Sequence, residues 1–185
     1  MRFVLASASP RRREILTRLG YSFTVHCSNV PEDDAEGSIS DVVKNLAQRK
    51  AESAAASEKD ALIIAADTLV GLDGEKLGKP ADKEDAFRML KLLSGRTHEV
   101  TTGICLIDTS NGKRAVSSDT TFVEFKSLSD EEIIRYVSTG EPMDKAGGYA
   151  IQGGAGAFVK RYTGSYDNIV GFPSELFVRM LNEMI

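Results

Sequence analysis

Apolar residues recur along this chain in two alternating patterns, short continuous runs and stripes spaced by three or four, so strand-like and helix-like segments follow one another from end to end. Met1 to Ala6 reads as a strand. The spacing of Ile15, Leu16 and Leu19 predicts a helix behind it, with Ser9 as N-cap, Pro10 as the first helical residue and Gly20 as the stop. A further strand ends near Ser28. A second helix begins near Ser38 or Ser40 and runs to about Ala55, with Val42, Val43, Leu46 and Ala47 inward and Lys50 on a later turn. Ala61 to Asp67 forms a buried strand, and Asp73-Gly74 marks a turn after Leu69-Val-Gly-Leu72.

Ala86, Met89, Leu90 and Leu93 fall at helical spacing within Asp82 to Leu93, before the stop at Ser94-Gly95. Val100 to Asp108 and Val116 to Phe125 then flank the Asn111-Gly112 turn and fit an antiparallel pair. Ser129 with Glu132 resembles a capping box, over a buried stripe of Ile133, Ile134 and Val137. A glycine-rich stretch to Gly171, a strand near Ala157 to Tyr162 and a helix from Pro173 to Met184 complete the chain. The expected class is α/β with a mixed central sheet, as one domain, residues 1–185, in two lobes.

Composition keeps that picture and removes some alternatives. With 42% hydrophobic and 27% charged residues over 185 positions, the chain can bury a substantial core. Runs such as Leu62-Ile-Ile-Ala-Ala66 are far shorter than the roughly 20 residues of a membrane span, and no signal-peptide h-region opens the chain, so a cytoplasmic protein without a membrane partner is expected. Cys27 and Cys105 lack metal-ligand spacing and are expected to be packing residues rather than a disulfide or zinc site. A formal charge of −4 argues against nucleic-acid binding but leaves room for a local basic pocket.

Such a pocket is suggested by Leu5-Ala-Ser-Ala-Ser-Pro-Arg-Arg-Arg13, where serines and arginines meet a helix start whose N–H groups attract anions. Asp67, at the end of a buried strand, is the leading catalytic carboxylate. Glu32, Asp33, Asp34 and Glu36 form an acidic run that could supply a ligand for magnesium, which takes carboxylates together with phosphate oxygens. Lys79 in Gly78-Lys-Pro80 and Lys50 on its helix are candidate phosphate cations. Asp144 to Gly156 holds five glycines in thirteen residues, too many for a core element, and places Gln152 where an amide could read a base edge. It lacks the Gly-Lys-Ser/Thr ending of a P-loop. His26 and His98 read as strand residues.

Ser-Ala-Ser-Pro-Arg-Arg at 7–12, Ala-Ala-Asp-Thr at 65–68, Gly-Lys-Pro at 78–80, Gly-Glu-Pro-Met-Asp-Lys-Ala-Gly-Gly-Tyr at 140–149 and Gly-Ser-Tyr-Asp-Asn-Ile-Val-Gly-Phe-Pro at 164–173 together resemble the Maf family of nucleotide pyrophosphatases. The resemblance implies an elongated α/β fold related to inosine-triphosphate pyrophosphatases, with a deep cleft between lobes. It implies cleavage of a nucleoside triphosphate between the α- and β-phosphates with a divalent metal, Mg2+ or Mn2+. In the family's pattern Asp67 matches the proton acceptor that activates water, Glu32 matches the metal-site acid, and Ser7, Arg12, Lys50 and Lys79 match the lining of the phosphate cleft. Asp67 is also a candidate metal ligand. Arg11, Thr68 and Gln152 resemble the set associated with dTTP and UTP rather than 7-methyl-GTP. Pro31 departs from the family, where aspartate is commoner. The expected partner is a small nucleoside triphosphate, and a homodimer is compatible with the sequence. The alternative is a nucleotide-binding regulator of cell division or septum formation with incidental hydrolysis.

Overall fold

A computed structural model describes residues 1–27, 30–31 and 36–185. In chain order its elements are β1 (Arg2–Leu5), α1 (Pro10–Arg18), β2 (Phe23–Val25), α2 (Ile39–Ala55), β3 (Ala61–Leu72), β4 (Glu75–Leu77), α3 (Lys83–Leu93), β5 (Thr97–Asp108), β6 (Arg114–Phe125), α4 (Asp130–Ser138), β7 (Val159–Thr163), α5 (Tyr166–Val170) and α6 (Ser174–Met184), with 3-10 turns between α4 and β7. Among the described residues the strands form one sheet in the order β2-β1-β3-β5-β6-β7, with β4 beside β3. β1 runs parallel to β2 and β3, whereas β3–β4 and β6–β7 are antiparallel, so the sheet is mixed as its patterning predicts.

Two compact units share these elements. The first comprises Met1–Thr68, Thr102–Asp119 and Gly171–Ile185. Its helix α2 starts where Ser38 accepts a hydrogen bond from the Asp41 N–H, and it carries small residues on one face. Ala47, Ala51 and Ala54 meet Ala61, Ile63, Ala65, Cys105 and Ile107 in one buried cluster. Small side chains on both surfaces let helix and strands approach closely. One such point is Gly103, where a Cβ would stand 2.4 Å from the Val43 carbonyl oxygen. α6 buries Leu176, Phe177, Met180 and Leu181, and Phe177 stacks edge-on with Tyr21, which in turn meets Phe3.

The second unit comprises Leu69–Thr101 and Thr120–Val170. Asp73 and Gly74 take φ of +51° and +85° at the β3–β4 turn, backbone that aspartate and glycine tolerate. Asp82 caps α3 through the Asp85 N–H, and Ser129 with Glu132 caps α4 reciprocally. His98, Phe125 and Tyr149 meet edge to face at 4.8–5.4 Å between ring centres. Tyr149 and the His98 Nε2 lie 2.7 Å apart.

Several expectations need correction. β3 continues five residues past Asp67 to Leu72, so Asp67 sits within a strand and not at its end. The apolar run stops at Ala66, but the alternation that follows still pairs as sheet. Ser9 has the extended backbone of an N-cap, yet its side chain makes no capping bond. Its own N–H is instead donated to the Ser7 hydroxyl. β2 closes at Val25, and Ser28 lies outside the described residues. Cys27 is exposed and does no packing, while Cys105 is buried and its thiol is pushed up to about 12 by that burial.

Replacing Gly103 by alanine forces a methyl into the Val43 backbone and is expected to cost about 1–3 kcal/mol of stability, read by denaturant unfolding. His98, 2% exposed, gives a second test. Burial pushes its imidazole down from 6.5 to about 4. An unfolded chain takes up that proton near pH 6.5, but the folded chain does so only near pH 4. The contribution to stability is therefore complete above pH 6.5 and drains by about 3 kcal/mol as pH falls to 4. His98→Gln should flatten the pH dependence of unfolding across that window.

Candidate active site

Alternation along β3 sends neighbouring side chains to opposite faces of the sheet. Asp67 shares the face of Ile63 and Ala65, which α2 covers. Lys50, one turn beyond Ala47, meets it there with Nζ 2.5 Å from Oδ1. The two are 8% and 6% exposed, an ion pair nearly withdrawn from water. Such a pair costs desolvation and holds only while both partners remain, since removing one leaves a buried charge. A carboxylate has about four lone-pair sites, so one ammonium contact leaves Asp67 able to accept from water or to ligate a cation.

Thr68 turns to the other face. There the Arg12 guanidinium, reaching from the first turns of α1, makes at least four hydrogen bonds. Nε donates to the Gly171 carbonyl at 2.9 Å, Nη1 to the Ser7 hydroxyl at 3.1 Å and the Ala66 carbonyl at 2.8 Å, and Nη2 to the Thr68 hydroxyl at 3.1 Å. The fork thus ties the end of β1, the middle of β3 and the entry to α6. Arg12 is a bracket as much as an anion donor, which a basic run read along the sequence did not disclose. Ser7 accepts from Arg12 and from the Ser9 N–H at 3.3 Å, so both its lone pairs are engaged and its own proton is left to donate. Thr68 also meets Thr102 on β5, oxygen to oxygen at 2.9 Å. Arg11 is half-buried on the first turn of α1.

Lys79 and Gln152 belong to the second unit, and both are exposed. Their loops are joined, because the Gly147 N–H donates to the Gly78 carbonyl at 3.0 Å. Gly147 has φ +68°, and a Cβ there would stand 2.8 Å from Val70, so the backbone lies flat on that side chain. Tyr149 anchors the next step on His98, and the Ala150 N–H donates to the Tyr136 hydroxyl at 3.1 Å. Glu141 accepts from the Gly154 N–H, and a side chain at Gly153 would run into that carboxylate. Gln152 therefore projects from a loop pinned on both sides. The glycine density pointed to the loop, but nothing in the sequence marks His98, Tyr136 and Glu141 as its anchors. Thr102 and the Gly171 carbonyl were missed for the same reason.

Glu32 lies outside the described residues. Among the described residues no cluster of three or more histidine, cysteine or acidic side chains is placed to hold a metal. The donor type at Asp67 nevertheless fits: a hard carboxylate oxygen is what Mg2+ or Mn2+ takes when phosphates and water complete its shell.

The family model described as Maf-like protein matches residues 2–184. The dTTP/UTP pyrophosphatase of Thermococcus gammatolerans is 51% identical, over 96% of this chain and 94% of its own. That of Bdellovibrio bacteriovorus is 45% identical over 97% of each, and that of Clostridium beijerinckii 46% identical over the full length of both. Among solved structures, the Staphylococcus aureus Ham1 protein covers both chains completely at 19% identity with a TM-score of 0.54, a likeness of fold. No described helix is long and apolar enough to cross a membrane. The serine–arginine turn, the Asp67-Thr68 strand and the glycine-rich loop stand in one continuous match, and the chain belongs to the Maf family.

Proposed function

We propose that this protein hydrolyses dTTP and UTP between the α- and β-phosphates, releasing the nucleoside monophosphate and pyrophosphate in the cytoplasmic nucleotide pool. The observation that carries the reading is the buried Asp67–Lys50 pair on one face of β3, with the Arg12 bracket on the other, in a chain 45–51% identical to relatives named for that activity. Relatives named dTTP/UTP pyrophosphatase favour this reading over the cell-division alternative.

The reaction joins a water oxygen to the α-phosphorus and breaks its bond to the bridging oxygen, with pyrophosphate leaving. Little covalent help is needed, so positioning and charge neutralisation dominate. Asp67 orients the water and accepts its proton, and Lys50 fixes the carboxylate and supplies positive charge beside it. Ser7 donates its remaining proton to a phosphate oxygen, while Arg12 holds Ser7 and Thr68 in place and adds positive potential. Lys79 balances the outer phosphates. Arg11, Thr68 and Gln152 recognise the base. A divalent cation, Mg2+ or Mn2+, held by Asp67 with Glu32, would polarise the phosphates and lower the pKa of the attacking water.

A panel of common and modified nucleoside triphosphates, assayed for pyrophosphate release with Mg2+ and Mn2+, tests this. dTTP and UTP should be the best substrates, a chelator should abolish turnover, and Asp67→Asn should lower kcat by about 10²–10⁴-fold, with thermal unfolding showing that the variant remains folded. Preferential turnover of 7-methyl-GTP, or an Asp67→Asn variant as active as the parent, would refute it.

A further inference from the structure

Thr68 has one O–H to donate and two lone pairs to accept with. Arg12 fills one lone pair through Nη2 at 3.1 Å, and that donor cannot swing away because the rest of the guanidinium is tied to Ser7, Ala66 and Gly171. An oxygen that accepts from a cation becomes a stronger donor, so the favoured chain runs from the Arg12 N–H through the Thr68 O–H to the Thr102 oxygen, 2.9 Å away. Thr68 then retains a single lone pair. Gly171 lies beside it, and even a Cβ there would stand 3.5 Å from the Thr68 oxygen, so its bare backbone leaves space next to the hydroxyl. Thr102 itself is 0% exposed and so does not meet a ligand directly.

We propose that Thr102 is a specificity-positioning residue, which takes the proton of Thr68 and so makes Thr68 an acceptor for the imide N–H of a uracil or thymine ring. Uracil and thymine carry a proton on N3, whereas cytosine presents a bare lone pair there. A Thr68 lone pair bonds the first and faces the second unpaired, so the site selects imide bases by polarity rather than shape. This inference rests on the proposed pyrimidine triphosphate activity and on Thr68 touching the base.

Two measurements test it. N3-methyl-UTP, which lacks the imide proton, should be turned over by the unaltered protein with kcat/KM at least about tenfold below UTP, the size expected for one lost hydrogen bond. Thr102→Val keeps the side-chain shape but frees the Thr68 proton to rotate towards cytosine N3. Its UTP-to-CTP ratio of kcat/KM should fall about tenfold through KM, with kcat for UTP nearly unchanged, and Thr102→Ser should restore the ratio. Turnover of N3-methyl-UTP equal to UTP, or a wild-type ratio in Thr102→Val, overturns the proposal. If Thr102→Val fails to fold, the N3-methyl-UTP comparison decides alone. Absence of any UTP or dTTP hydrolysis would instead sink the functional reading beneath it, and with it this inference.

Discussion

A lysine and an aspartate withdrawn together from water constrain everything around them. Neither Lys50 nor Asp67 is stable alone at that depth, so α2 must hold its position over β3 to within the length of one hydrogen bond. The alanines of α2 and the missing side chain at Gly103 make that possible by letting helix and sheet come close. Packing and chemistry are therefore one requirement. The small-residue face that looks merely structural is what brings an ammonium to a carboxylate in the heart of the first unit.

The opposite face of β3 follows a different logic. Asp67 is governed by a charge, whereas Thr68 is governed by a network of neutral acceptors gathered round one guanidinium. Two adjacent residues thus acquire different neighbours for no reason beyond the two-residue period of a strand. A single-residue slip of β3 would exchange them, which is why a long strand, paired on both sides, suits such a site. In the second unit a flexible composition is made rigid by a different device. Glycines let the backbone lie against Val70 and Pro80, while buried tyrosines and Glu141 fix the loop from outside.

Full-length likeness to the Ham1 protein at 19% identity shows how far the sheet and helices can persist while side chains change. Fold alone therefore says little about which ligand is bound. Under the proposed reading, discrimination comes from a few hydroxyls and amides whose polarity is set by their neighbours, as for the Thr68 and Thr102 hydroxyls that meet across β3 and β5.

The sequence by itself determined the elements: the Pro10 helix start, the Ser129 capping box, the glycine turns and the mixed α/β order all depend on neighbours within a few positions, which local propensity can encode. It also marked Asp67, Arg12 and the glycine-rich loop as unusual, because polar residues beside apolar runs and dense glycines are visible without a fold. It placed Asp67 at a strand end because hydrophobicity falls there, whereas pairing with β4 carries β3 on to Leu72. Only the tertiary structure decided that Lys50 reaches Asp67, that Arg12 spends its donors on three parts of the chain, and that Thr102 and His98 stand behind residues distant in sequence. Those contacts join positions 17 to 159 residues apart. No local pattern records them, since they exist only once sheet and helices have closed on one another.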